Sequence, residues 1–196
     1  PLVHAFRKHN IEVPMVTSHI VDAQTPHAEA VLRELKKKYG KPLQFVHFDA
    51  HLDTYPAAWD CEYHHGSFAR HALAEGLIDG RRTHQIGVRG PLASKDDLAL
   101  GEQYGVQTHL VDDIQGQWEN FCSRLPDFGS EPTYISFDID CLDPAYAPGT
   151  GTPVPGGLTS AEALRILRKL KIGNLVGADI VEVCPAYDVS DITSIA

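Results

Sequence analysis

The chain of 196 residues is 43% hydrophobic and carries a formal charge of −9, with enough apolar content to bury the core of one substantial domain spanning residues 1–196. That charge argues against a nucleic-acid or anionic-membrane partner, since both are held by Lys and Arg clusters; the densest basic runs, Lys36-Lys37-Lys38 and Arg81-Arg82, read as a helix C-terminus and a loop. Cys61, Cys122, Cys141 and Cys184 lack C-x-x-C spacing, which excludes a zinc knuckle or dense disulfide framework and points to a reduced cytoplasmic compartment, and no apolar run approaches the roughly 20 residues of a membrane span.

From about residue 27 onward, short apolar runs alternate with amphipathic stretches, as in successive βα units around a parallel sheet. HAEAVLRELKKKYG puts Ala28, Val31, Leu32, Leu35 and Tyr39 on one helical face and ends in lysines before Gly40. LQFVHFD reads as a strand, residues 66–75 as a short helix, THQIGVRG as a strand and residues 94–104 as a helix. GVQTHLV then reads as a strand, DDIQGQWENFCSRL as a helix and TYISFD as a strand apolar enough to be covered on both faces. In TSAEALRILRKL, Thr159 and Glu162 have capping-box spacing, so a helix begins there. LVGADIVEV is the last clear strand, and the Gly/Pro-rich PAYAPGTGTPVPGG between strand and helix is a shaped loop. The chain opens at Pro1 without an initiator Met and stops at Ala196 with no helix stop signal, which reads as a fragment.

Ligands of open parallel α/β sheets bind beyond the carboxyl ends of the strands. Three polar groups fall at such ends: Asp49, His51 and Asp53 after LQFVHF, Asp138 and Asp140 after TYISF, and Glu182 after GADIV. If the backbone stays extended, Asp49, His51 and Asp53 share one direction, and so do Asp138 and Asp140. Converging carboxylates without a cation repel and are forced to take up protons. Four carboxylates with an imidazole suit an oxygen-preferring divalent metal such as Mn²⁺, and two metals bridged by shared carboxylates and a solvent molecule fit the set. Taken singly, D-x-H-x-D is equally a capping and turn cluster, and D-x-D a loop carboxylate pair. His19, His71, His84 and His109 belong to no comparable cluster and read as structural or surface residues.

FDAHLD, SFDIDCLDPAYAPGTGTPVPGGLT and VEVCPAYD resemble the signature segments of the ureohydrolase family, the arginases and agmatinases, and HHGSF, AEGLID and HQIGVRG resemble its bacterial agmatinase branch. The resemblance runs from about residue 28 to the last residue. It implies a three-layer α/β/α sandwich with a mainly parallel sheet, and a binuclear manganese site that hydrolyses a guanidino group to urea and an amine. Carried over by position, Asp49 and Asp138 correspond to bridging carboxylates, and His51, Asp53 and Asp140 to terminal metal ligands. Glu182 corresponds to the carboxylate that holds the substrate guanidinium, and His65 to a histidine that shuttles protons. The resemblance also implies that the chain lacks the family's N-terminal portion and extreme C-terminus. Where the family carries a sixth ligand, a histidine, this sequence has Thr25, with His27 two residues on.

The loop TYPAAWDCEYHH lacks the Asn and Ser groups with which arginases hold an amino-acid carboxylate and amine. Agmatine, hydrolysed to putrescine and urea in polyamine biosynthesis, is therefore the favoured small-molecule guanidino substrate, with Asp60 and Glu62 available to its distal ammonium. Guanidinobutyrate, guanidinopropionate and free guanidine remain open. Three rivals stand beside this reading: a truncated, catalytically weak relative; a non-catalytic relative that keeps the scaffold as an oligomer subunit or regulatory partner; and a metal-dependent deacetylase, which holds one zinc and has little use for the second D-x-D carboxylate. Oligomers are common in the family, so a homo-oligomer is expected.

Overall fold

The computed structural model describes residues 27–196, apart from residues 59, 93 and 95. Its helices are α1 (His27–Tyr39), α2 (Phe68–Ala74), α3 (Asp97–Tyr104), α4 (Trp118–Arg124), α5 (Ser160–Lys169) and α6 (Ile192–Ile195). Its strands are β1 (Leu43–Phe48), β2 (Ile78–Val88), β3 (Gln107–Leu110), β4 (Asp127–Gly129), β5 (Thr133–Asp138), β6 (Lys171–Ile172) and β7 (Leu175–Val181). Five strands form a sheet in the order β3-β2-β1-β5-β7, parallel throughout, and β4 and β6 pair in a small second sheet.

Every residue of β1 and β5 is buried, which explains their near-continuous apolar runs: a strand covered on both faces has no solvent side to mark with polar residues. On one face Leu43, Phe45 and Tyr134 pack with Leu32 of α1 and Ala72 and Leu73 of α2. On the other, Val46, Phe48, Ile86, Ile135 and Phe137 pack with Phe121 of α4 and Ala163 and Ile166 of α5. The layers are helix, sheet, helix, as the sequence pattern and the ureohydrolase resemblance predicted.

Helix α5 starts at the expected capping box: Thr159 Oγ1 accepts the Glu162 N–H, and Glu162 Oε2 accepts the Thr159 N–H, both at 3.0 Å. The single helix expected over residues 112–125 is instead a 3₁₀ turn at Val111–Asp113 followed by the shorter α4. Gly116 breaks it with a left-handed φ of 69°, and the Gln115 side-chain amide is committed to the carbonyls of Gly156 and Gly157. The last strand also ends early, at Val181, because Glu182 adopts a left-handed φ of 62°.

Away from the carboxylates, His84 of β2 and His109 of β3 stack with ring centroids 5.4 Å apart, and His84 Nδ1 lies 3.1 Å from His109 Nε2. Burial, the neighbouring His109 and Arg82 push the His84 pKa from 6.5 down to about 4. The fold therefore holds His84 neutral while the unfolded chain takes up its proton first. Stability from this pair is full above pH 6.5 and is lost as pH falls toward about 4. Urea unfolding at stepped pH should show a steeper decline over that window in the unmodified chain than in His84→Gln, which cannot titrate.

Candidate metal and active site

The chain runs from β1 outward to β2 and β3, then returns to place β5 on the opposite side of β1. The strand order reverses between β1 and β5, and loops diverging from such a switch point leave a crevice at the carboxyl ends. Asp49, His51 and Asp53 follow β1, Asp138 closes β5 with Asp140 just beyond it, and Glu182 follows β7. Asp49, His51, Asp53 and Asp140 come together as potential ligands, and Asp138 and Glu182 lie within electrostatic reach of them.

Asp49 sits at the centre. Its carboxylate joins two groups whose potential ligand atoms lie within 4.8 Å of one another: Asp49 with His51 and Asp140, and Asp49 with His47 and Asp53. His51 Nδ1 is 3.1 Å from Asp140 Oδ2 and 3.3 Å from Asp49 Oδ1. Asp138 belongs to neither group, although its charge interacts with Asp49, Asp140 and Glu182. His65, at the start of a 3₁₀ turn, is exposed but interacts electrostatically with His51, Asp49 and Asp140.

Strand alternation does not deliver this geometry, because β1 stops at Phe48 and the chain after Asp138 turns into a 3₁₀ helix. The same local device works twice instead. Asp49 Oδ1 accepts the N–H of His51 at 2.6 Å, and Asp138 Oδ1 accepts the N–H of Asp140 at 2.8 Å, each an Asp side chain bonding the backbone two residues on. Each motif thus forms a turn and at the same time brings its acid to the shared cluster of charges. The loops are then tied together: Ala50 N–H donates to Asp140 Oδ1 at 3.1 Å, and the Thr152 hydroxyl donates to Asp140 Oδ2 at 3.0 Å. A Cβ on Gly90 would lie 2.6 Å from the His51 ring and 2.9 Å from the Ala50 carbonyl, so only glycine lets the loop after β2 approach this closely.

Asp53 takes a left-handed φ of 52°, a conformation that costs energy outside glycine and persists where surrounding contacts impose it. Arg70 of α2 imposes it: its backbone N–H donates to Asp53 O at 3.1 Å, and its Nε donates to the carbonyls of Thr54 and Tyr55, both at 3.0 Å. Arg89, just past β2, acts on the other side. Its Nη2 donates to Asp140 O at 2.8 Å and Leu142 O at 3.2 Å, and its Nη1 to Cys141 O at 3.2 Å.

The electrostatics follow from burial. Asp53 and Asp138 are pushed well above the usual carboxylate range, first by burial and then by the charges of Asp49 and Asp140. Glu182 rises to about 7, first by burial and then by the charges of Asp140 and Asp49. Burial also opposes ionisation of Asp49, but His47 and His51 more than offset it and hold its pKa below normal. His51 rises to about 10: desolvation favours the neutral ring, and Asp140 and Asp49 outweigh it. The His65 pKa is lowered, although its side chain keeps contact with solvent, by partial desolvation and then by His64. A divalent cation among these oxygens would remove the repulsion that drives Asp53 and Asp138 toward the neutral form, and the donor set, mostly carboxylate oxygen with imidazole, fits such an ion.

Sequence spacing missed His47, Arg89, Arg70 and Thr152. His47 alone carried a readable signal, since it stands two residues before Asp49 in the same strand. His71 instead bonds the Glu62 carbonyl through Nε2 at 2.9 Å and stacks on Tyr63, and His84 pairs with His109, in line with structural roles. His19 and Thr25 lie outside the described residues, as does the side chain of His27.

The profile of the arginase family matches residues 27–196. An agmatinase from Cronobacter sakazakii is 49% identical over 166 residues, 85% of this chain and 51% of that protein. Among solved structures, a hypothetical agmatinase from Burkholderia thailandensis superposes with a TM-score of 0.75 at 41% identity, covering 89% of this chain and 53% of that one. Proclavaminate amidino hydrolase from Streptomyces clavuligerus gives 0.75 at 42% identity, covering 89% of this chain and 58% of that one. The chain thus spans about half the length of the relatives it matches. With a family match over all its described residues and the acids of three neighbouring strands gathered at one sheet edge, the chain belongs to the arginase family.

Proposed function

We propose that this chain carries the active site of a manganese-dependent ureohydrolase that cleaves a guanidino group to urea and an amine, with agmatine as its substrate and putrescine as the amine. The observation that carries this reading is the convergence of Asp49, Asp53, Asp138, Asp140 and His51 at the switch point, with Glu182 and His65 within electrostatic reach. The agmatinase from Cronobacter sakazakii supports the substrate.

In this reading Asp49, His51, Asp53, Asp138 and Asp140 would hold manganese, Asp49 and Asp138 in the positions that the resemblance gives to the bridging carboxylates. When bound, two such ions supply the Lewis acidity that lets water be deprotonated near neutral pH. Glu182 grips the substrate: a guanidinium is a planar fork of N–H donors, and a fixed carboxylate accepts two of them side by side. Its strained backbone is consistent with that task, since the left-handed φ aims the side chain out of the strand's own alternation. His65, exposed and mostly neutral near pH 7, would take up the proton lost by the attacking water and pass it to the departing amine. Asp60 and Glu62, exposed in the loop before His65, offer negative charge to the distal ammonium of agmatine. A cytoplasmic homo-oligomer is the accompanying expectation.

Urea release should be measured over agmatine, guanidinobutyrate, guanidinopropionate, guanidine and arginine, with and without added Mn²⁺. Agmatine turnover dependent on Mn²⁺ is the expected result; turnover of another guanidino compound alone would move the substrate assignment, and no urea from any of them would remove the enzymatic one. Glu182→Gln should lower kcat/KM for agmatine by about 100-fold or more, because the substrate cation then meets a neutral partner in a desolvated site.

The repulsion among the acids gives a second test. Asp53→Asn replaces a carboxyl already driven toward its neutral form, and Asn tolerates a left-handed backbone. Its melting temperature in chelator should equal or exceed that of the unmodified chain. In excess Mn²⁺ the unmodified chain should gain stability by mass action, about 2.7 kcal/mol at 100 times the dissociation constant, and Asp53→Asn should lose most of that gain.

A further inference from the structure

Just behind the carboxylates the sheet carries a line of polar side chains that the proposed chemistry leaves unused. In register, Thr108 of β3, Gln85 of β2, His47 of β1, Ser136 of β5 and Asp179 of β7 stand side by side. Residues aligned across parallel strands face the same way, so a polar row crosses all five strands where apolar residues are the rule. Gln85, His47 and Ser136 are buried to 2%, 1% and 4% exposure. Polar groups at such depth cost free energy unless they are bonded, and the bonds made by this row lead to the site. Gln85 Nε2 donates to Leu52 O at 2.6 Å, between the two ligand candidates His51 and Asp53, and its Oε1 accepts the Thr108 hydroxyl at 3.2 Å. His47 Nε2 lies 2.9 Å from Asp49 Oδ2.

His47 is the decisive member. The N–H of His51 occupies Asp49 Oδ1 at 2.6 Å while His47 occupies Oδ2. A carboxylate has about four lone-pair sites, two on each oxygen; Oδ1 also faces the ring of His51, itself a ligand candidate, at 3.3 Å, whereas His47 takes one site of Oδ2 and leaves that oxygen a free direction for a cation. The His47 ring is held between Phe45, 5.6 Å away between centroids, and Phe68, at 6.3 Å and edge-on. Its far nitrogen, Nδ1, is buried without a hydrogen-bond partner, and so is Asp179 Oδ1 on the same row. Asp179 interacts electrostatically with His47 and is itself anchored by the Tyr134 hydroxyl at 2.9 Å from Oδ2. A Cβ on Gly177 would meet the Tyr134 ring at 2.5 Å, so glycine there is what lets the tyrosine lie across β7 to reach Asp179.

His47 also lies within 4.8 Å of Asp49 and Asp53 as a potential ligand in its own right. Its position argues otherwise: it is inside β1, not in the loop, and its near nitrogen already bonds Asp49. We propose that His47 is a positioning residue, which with Asp179 behind it fixes the Asp49 carboxylate in the orientation that receives metal. The inference rests on the manganese reading above and deepens it.

The test titrates Mn²⁺ into the full chain and its variants, by calorimetry and by the electron paramagnetic resonance of free Mn²⁺. His47→Phe keeps a ring but removes the donor; His47→Gln places an amide N–H near the position of Nε2. His47→Phe should weaken Mn²⁺ binding about 10- to 100-fold, and His47→Gln should recover most of it, with melting temperatures in chelator alike for the two. Equal affinity in His47→Phe and the unmodified chain overturns the inference, as does a glutamine variant that binds no better than the phenylalanine one. Pulsed resonance on ¹⁵N-histidine protein showing a coupling lost with His47 would make it a ligand and overturn the positioning role. If His47→Phe does not fold, Asp179→Asn decides: weaker Mn²⁺ binding by a folded chain supports the inference, and unchanged binding overturns it. Failure of the unmodified chain to bind Mn²⁺ overturns the manganese reading and the inference together, whereas binding indifferent to His47 overturns the inference alone.

Discussion

Five carboxyl groups and an imidazole share one edge of a parallel sheet, three of the acids almost wholly out of water. Like charges at that depth repel strongly, and the shifts show how the repulsion is divided: Asp49 remains the committed anion because two histidines face it, while Asp53 and Asp138 are driven toward the neutral form. The rest of the local architecture answers this constraint. Asp49 and Asp138 each bond their own backbone, Arg89 gathers the carbonyls of the 140–142 turn, and Arg70 pins the strained loop after Asp53. A scaffold that spends so many polar contacts on holding acids together gives up stability that an apolar edge would have provided, which is the usual exchange at a functional site.

The parts of the fold legible in the sequence are those where one local signal decides. β1 and β5 read as strands because both faces are covered and their apolar runs are short, β7 because its apolar run is short although it is only partly buried, and α5 read as a helix because Thr159 and Glu162 cap each other. The expected helix over residues 112–125 failed where a glycine takes positive φ and Gln115 bonds a distant loop, and β4 and β6 are too short, at three and two residues, for any periodicity to register.

The site divides along the same line. Asp49, His51, Asp53, Asp138, Asp140 and Glu182 stand at strand ends as spacing predicts, yet the reason they converge is turn chemistry and not continued alternation. His47 could be read as a neighbour two residues before Asp49 in the same strand, but Arg89 was invisible as a site residue, because its partners lie in a loop some fifty residues away. No window of the chain contains that information.

The strand order explains why the acids are divided between distant segments at all. One loop carrying every carboxylate would have to fold back on itself with like charges adjacent along the backbone and few N–H groups to spare. At the reversal between β1 and β5, two loops approach from opposite sides, and each brings its own turn to satisfy its own acids before they meet. The cross-links between the loops, Ala50 to Asp140 and Thr152 to Asp140, are then few and specific. Asp49 is left as the single carboxylate reached from both groups of donors, so its orientation governs them jointly. A misplacement there disturbs both groups at once, which is why the buried ring of His47 behind Asp49 bears on the whole cluster.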